Sequence, residues 1–429
     1  MATNANRLKG GFDANRTRWL SIAPGVSAGH GRSEWGGNSL GPDYSWAQGS
    51  NPQVARIVAN TISVDMHNHV GTQFAKTPAN AKPDPTIDLH GNFEKSGLSA
   101  LCYTYAVDGY RSPQPGDWYQ YHLQSLAYID RLLAKNGMRR ALTIADLKAA
   151  HSAKTPIVIQ DCEGAQWIEG RLERVEEAYK RGLRHMQLLH QMHDLVSPLG
   201  GVQQLVEGTG GVQNNKSANI TGLTSFGADV IRECNRLGIV VDMAHSNEET
   251  TFGPLKVARQ PLVVSHTALN NALRKTSKTY VNNPGLADRL VSPKYVKAVA
   301  AAGGVVGIWR IFPTMKDYVT AIKQMADVAG VDHTGIGTDT SLASAASGDV
   351  AAADNAARGN AAAAADAAAR GDRGGAVGGT NNMSPDEKNG FLYSVVQEML
   401  TQGFRPDEIS KIAGGNYLRI FEKVTARRA

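Results

Sequence analysis

Cysteine is scarce in this sequence: Cys102, Cys162 and Cys234 are the only three in 429 residues. They cannot all pair with one another, and none stands in a CxxC, so neither a disulfide framework nor a zinc ribbon is expected. No apolar run approaches the roughly 20 residues needed to cross a bilayer. The net charge is +6, yet no basic block with interleaved aromatics occurs, which sets nucleic acid aside as a partner. The N-terminus lacks a basic-then-apolar leader, so no export signal is read in the chain as given. The compartment stays open, because the composition is also compatible with a leader removed earlier. What remains is an ordinary balance of 42% hydrophobic and 20% charged residues, enough for a sizeable core.

The first fifty residues are rich in Gly, Asn, Ser and Trp without a clear period, and read as an irregular arm. From there to residue 429 a single domain is expected, because one pattern repeats: a short β-rich apolar run, a polar tip, then a helical stretch. The runs are "TISVDMH", "LSALCYTYA", "TPIVIQDCEG", "RHMQLLH", "GIVVDMAH", "QPLVVSH", "GGVVGIW" and "HTGIGTD". Between them, "DWYQYHLQSLAYIDRLLAKNG" spaces its apolar residues for one buried helical face and ends on Gly137. "SPKYVKAVAAAGG" opens with Ser292 as N-cap and Pro293 in the first turn. "SPDEKNGFLYSVVQEMLTQG" repeats that opening with Ser384 and Pro385, and places Glu387 for a capping box. Continuous apolar runs suit a parallel sheet covered by helices. Eight such units predict an α/β fold, a (β/α)8 TIM-type barrel, with a doubly wound open sheet as the alternative.

The ends of the runs favour the barrel. His67 and His69 close the first, Glu163 the third, His190 the fourth, His245 the fifth, His266 the sixth and Asp339 the last. In a barrel these C-terminal edges meet at one rim, where active sites of the fold lie. Imidazole and carboxylate suit zinc or a similar divalent ion. Four histidines and Glu163 are too many for one open zinc but suffice for two ions if Glu163 bridges them. Such a pair can hold a hydroxide and polarise a carbonyl. Asp339 is then placed to protonate the leaving group, and His190 to steady an oxyanion. Asp65 and Asp242 precede site histidines and read equally well as their supports or as strand residues bonded to nearby backbone.

These residues resemble the membrane (renal) dipeptidase family of zinc metallopeptidases, within the amidohydrolase superfamily. The resemblance runs from about Arg56 to Lys423 and rests on "VDMHNH", "DCEGAQ", "LLHQMHDL", "LTSFGADVIRECNRLGIVVDMAHS", "PLVVSHTAL", "HTGIGTD" and "GGNYLRIFEKV". It implies a barrel with two zinc ions, one held by His67 and residue 69, the other by His245 and His266, with Glu163 bridging. It implies that His190 contacts the substrate, that Asp339 assists protonation of the departing amine, and that the substrate is a small dipeptide. A second residue of D configuration is within the family's range, and a homodimer is the state common among relatives. An arginine downstream of the sixth strand would hold the substrate carboxylate. Here Arg274 is the candidate and Lys275 the rival, and only Arg pairs in bidentate fashion.

Two departures stand out. The family has Asp at position 69 and this chain has His, which makes the site more positive by one charge. After Asp339 the chain reads "DTSL" and enters an Ala/Gly/Asp/Arg-rich stretch, 343–379, of low complexity at the rim: short capping turns or an excursion without a role. A second insertion, about 191–222, reads as a substrate-covering loop. The leading expectation is a zinc-dependent dipeptidase. The alternatives are an amidohydrolase acting on another small amide or natural-product intermediate, and a non-hydrolytic metal-binding relative.

Overall fold

The computed structural model describes residues 51–69, 87–107, 115–190, 206–207, 222–246, 248–271, 290–342, 379–384, 387 and 389–426. The arm at 1–50, Arg274 with Lys275, and nearly all of both insertions lie outside these residues.

Each of the eight apolar runs contributes a strand. They are β1 (Val64–His69), β2 (Ala100–Ala106), β3 (Ile157–Glu163), β4 (His185–Gln187), β5 (Val240–Asp242), β6 (Val263–Thr267), β7 (Val305–Ile308) and β8 (Thr334–Ile336). A further short strand, β9 (Thr340–Ser341), continues the last run. The sheet order is β8-β7-β6-β5-β4-β3-β2-β1-β9, and every pairing in it is parallel. Its two ends are thus successive pieces of one chain segment. β8 pairs with β7, the strand is interrupted over Gly337–Asp339, and β9 pairs with β1. The Asp339 N–H donates to the His67 carbonyl at 3.0 Å across that break, closing the curl. A doubly wound sheet reverses its strand order at a switch point; this one runs in sequence order throughout, as a TIM-type sheet does.

Helices follow the strands. They are α1 (Pro52–Asn60), α2 (Leu89–Ser96), α3 (Asp117–Lys135), α4 (Ile144–Ser152), α5 (Glu173–Lys180), α6 (Ser225–Leu237), α7 (Glu248–Val257), α8 (Pro293–Ala301) and α9 (Met315–Ala329), then α10 (Phe391–Thr401), α11 (Pro406–Ser410) and α12 (Asn416–Thr425). α3 ends at Lys135 with Gly137 in the left-handed region just beyond. Ser292 caps α8 by accepting from the Tyr295 N–H, with Pro293 in the first turn. The helix expected from Ser384 and Pro385 is described only from Phe391, and Pro385 lies outside the described residues. α10 begins at Phe391 after Gly390, whose φ is 88° and whose position would put a Cβ 1.8 Å from the Lys95 carbonyl. Glu387 accepts from the Met383 N–H at 2.8 Å.

Alternation along the strands sorts the core into two layers. Ala100 and Cys102 of β2, and Ile157 and Ile159 of β3, join Val64, Met66, Val240, Val263 and Val305 inside the curl, where Tyr417, Ile420 and Phe421 of α12 pack against them. Leu101, Tyr103, Tyr105 and Val158 face outward to the helices. Glycine lets the inner layer close: a Cβ on Gly337 would lie 1.7 Å from the Ser265 carbonyl, and one on Gly307 1.9 Å from the same oxygen. All three cysteines are buried and unbridged. No helix among the described residues is long and apolar enough to cross a membrane.

Candidate metal centre

The strand ends bring seven predicted side chains to one place. β1 ends on His67, fully buried, and His69, whose side chain is about 20% exposed. β1 slips register against β2 between Asp65 and Asn68. The two imidazoles nonetheless converge, with ring centres 5.0 Å apart and planes nearly perpendicular. Glu163 is the last residue of β3 and is paired in register with Gln187 of β4. His190 lies three residues past β4, His245 three past β5, and His266 within β6. His245 and Asp339 have φ of 67° and 53°, two of four positive values at non-glycine residues among those described. Such backbone is held only where its surroundings over-determine it. At Asp339 the hydrogen bond to the His67 carbonyl is one such restraint.

Five imidazole Nε2 atoms face the Glu163 carboxylate. Those of His190 and His245 stand 3.3 Å from Oε1, that of His67 3.6 Å and that of His266 3.9 Å, while His69 lies 3.7 Å from Oε2. The Nε2 atoms of His245 and His266 are only 3.0 Å apart. Asp339 Oδ1 meets His69 Nε2 at 2.9 Å and approaches His67 Nε2 at 3.9 Å. Burial works to raise the Glu163 carboxyl, but His190, His67, His245 and His69 outweigh it and hold it well below the usual carboxylate range. Asp339 follows the same pattern: desolvation pushes it up, but the His69 hydrogen bond, with the charges of His69 and His67, prevails and brings it down. For His67 burial pulls down, yet Glu163, Asp161 and Asp339 raise it to about 9. The pocket therefore favours positive charge at its centre.

The structure separates the two readings left open for Asp65 and Asp242. Asp65 accepts from the backbone N–H groups of His67 and Thr338, the Thr338 hydroxyl and the Asn68 amide, tying β1 to the break after β8. Asp242 accepts from the N–H groups of Ala244 and Ser265 at 2.9 Å each and stands 3.3 Å from buried His185. Asp65 is bonded to two backbone and two side-chain donors and Asp242 to two backbone donors, and neither is paired with the imidazole of a site histidine. The carboxylate that does approach one is Asp161, 3.5 Å from His67 Nδ1, a residue the sequence reading passed over. Its signal was available: it precedes Glu163 by two in a strand and so shares its face. His185 was also missed. Burial lowers it, but Asp161, Cys102 and Asp242 raise it well above the usual histidine value.

Fit to a metal rests on His67. It is fully buried, its Nε2 makes no hydrogen bond, and its Nδ1 has the Asp161 carboxylate 3.5 Å away. Three overlapping donor groups have ligand atoms within 4.8 Å of one another: His67 with Glu163 and His266, His67 with His69 and Asp339, and Glu163 with His190 and His245. Imidazole nitrogen and carboxylate oxygen at this spacing suit a divalent cation. Arg274, the expected holder of the substrate carboxylate, lies outside the described residues.

Solved structures share the architecture. An amidohydrolase from Pseudomonas aeruginosa is similar over 87% of this chain and 99% of its own, with a TM-score of 0.62 and 20% identity. A metallopeptidase from Rhodobacter sphaeroides, liganded with a phosphinate mimic of the dipeptide L-Ala-D-Ala, matches 85% of this chain and all of its own at 18% identity and a TM-score of 0.58. A protein from the pqqA 5' region of Klebsiella pneumoniae, itself uncharacterised, is 24% identical over 240 residues, 52% of this chain and 80% of that one. The profile of the membrane dipeptidase family matches residues 52–353, most of the chain. With these matches beside a TIM-type sheet and a metal-suited rim, the chain belongs to the membrane dipeptidase family, peptidase family M19, a family of metal-dependent peptide hydrolases.

Proposed function

We propose that this chain is a two-zinc dipeptidase, hydrolysing small dipeptides that carry a free C-terminal carboxylate. The observation that carries the reading is the convergence of five Nε2 atoms, at 3.3 to 3.9 Å, on one buried carboxylate. His67 and His69 would hold one ion, His245 and His266 the other, with Glu163 between them. When bound, the ions supply Lewis acidity at the scissile carbonyl and a water that is nucleophilic at neutral pH. Nε2 of His190, at the mouth of the cluster and 13% exposed, donates to the carbonyl oxygen as it gains charge. Asp339 Oδ1, 2.9 Å from His69 Nε2 and so beside the ion position, carries a proton to the departing amine. Arg274 pairs with the substrate carboxylate. A D-residue at the second position is part of this proposal, supported by the ligand of the Rhodobacter sphaeroides structure. So are a domain spanning 51–429 behind an N-terminal arm, and a homodimer.

The test is amine release from a dipeptide panel by the zinc-loaded chain, with Glu163→Gln as the blank. Turnover that persists in the blank would sink the proposal. The His69–Asp339 pair favours one second reading, hydrolysis of a different small amide, because the family carboxylate at position 69 is here an imidazole that engages the proton carrier. His69→Asp separates the two. A rise in dipeptide turnover supports the second reading, while an unchanged or lower rate supports the first.

A further inference from the structure

Along β3, all seven residues from Ile157 to Glu163 are buried. Asp161 lies among them with no exposure. A carboxylate in such a place is costly unless it is paired. Its Oδ2 accepts from the Thr104 hydroxyl at 2.6 Å and stands 3.5 Å from His67 Nδ1. Its Oδ1 makes no hydrogen bond. On the far side of the same ring, His67 Nε2 faces Glu163 and Asp339. The second histidine pair is backed differently: His266 has its Nδ1 2.9 Å from the Ser265 hydroxyl, a neutral partner.

We propose that Asp161 is the positioning residue of His67, holding its proton on Nδ1 so that the Nε2 lone pair is presented to the ion on the His67–His69 side. The inference rests on the two-ion reading above. A histidine that ligates a metal is oriented and made more basic by a carboxylate on its other nitrogen. Here that carboxylate also supplies, one residue removed from the ion, the negative charge that an imidazole at position 69 does not carry. The two ions then differ in their support, one backed through a carboxylate and the other through a hydroxyl.

Stepwise competition with a chromophoric chelator, on the full chain loaded with zinc, reads the two affinities apart. Asp161→Asn is expected to weaken one ion by about 10–100-fold and leave the other nearly unchanged. Ser265→Ala is expected to weaken the other ion instead. A merely structural role would weaken both ions or neither, and would lower the melting temperature of the metal-free chain. Two ions bound by Asp161→Asn as tightly as by the parent would overturn the proposal alone. A parent that binds fewer than two ions would overturn the two-ion reading and this inference with it. Should Asp161→Asn fail to fold, Thr104→Val loosens the same carboxylate. It is expected to weaken the same ion several-fold, and unchanged affinity there would also refute the proposal.

Discussion

His67 and His122 are both buried histidines, with 0% and 1% of their surface exposed, yet their charge preferences are opposite. Burial pulls each of them down. At His67 the carboxylates of Glu163, Asp161 and Asp339 reverse the effect and raise the imidazole to about 9. At His122, in α3, the nearby charges are Arg181 and Arg174, and with burial they lower it to about 3. His122 stacks on Trp167 at 3.9 Å between ring centres and meets the Tyr105 hydroxyl at 2.6 Å, so it is a core residue with a satisfied polar edge. Burial alone thus says little about what a histidine does. For this pair the sign of the charge gathered around the ring, negative at His67 and positive at His122, sets the charge each favours.

Removing the gathered charge should have the largest effect. On the proposed two-ion reading, Glu163→Gln is expected to lower dipeptide turnover by at least about 10³-fold, because the carboxylate shared by both ions would be lost. Metal analysis of the purified variant should find fewer bound ions per chain than in the parent. Removing the ions from the parent comes next. Chelation should lower its melting temperature by several degrees and added zinc should restore it, since a ligand bound only to the folded chain stabilises it by mass action. The Glu163→Gln variant should respond much less in the same thermal melts.

The smallest effect is expected at His122, and it appears only in acid. Between pH 6.5 and about 3 the unfolded chain protonates this histidine while the folded chain keeps it neutral. The unfolded state then binds more protons, so stability is full above pH 6.5 and falls as the pH drops. The slope from this one group is at most about 1.4 kcal/mol per pH unit. His122→Gln, which keeps an acceptor for Tyr105, should flatten the acid side of the stability curve by that difference. Identical curves for the two chains in denaturant titrations at pH 4 to 7 would remove His122 from the account.

Much of this was legible because it depends on local order. Apolar runs bounded by polar tips marked all eight main strands, and the strand-end positions of His67, Glu163, His245, His266 and Asp339 followed from them. Ser292 and Pro293 marked a helix start because capping uses only the neighbouring backbone. The similar signal at Ser384 does not open the described helix, which begins at Phe391. There the helix start was decided at Gly390, which passes too close to the Lys95 carbonyl to carry a side chain. Asp65 and Asp242 read equally well as supports or as strand residues, and the choice was decided by donors that only the fold brings to them, the Thr338 and Ser265 N–H groups. Asp161 is near His67 only across β2, a relation no spacing within β1 could disclose.

By itself the sequence determined which residues could serve: strand periodicity sets which side chains share a face, and residue chemistry sets which of them can bind a cation. Only the tertiary structure decided their arrangement. The last strand breaks at Asp339, so that its two halves pair with opposite ends of the sheet and close the curl. That closure carries Asp339 to His69 and holds the five imidazoles around Glu163. The physical reason is that a local pattern specifies direction along one strand, whereas distance between strands depends on register, curl and the glycines that let neighbouring strands approach.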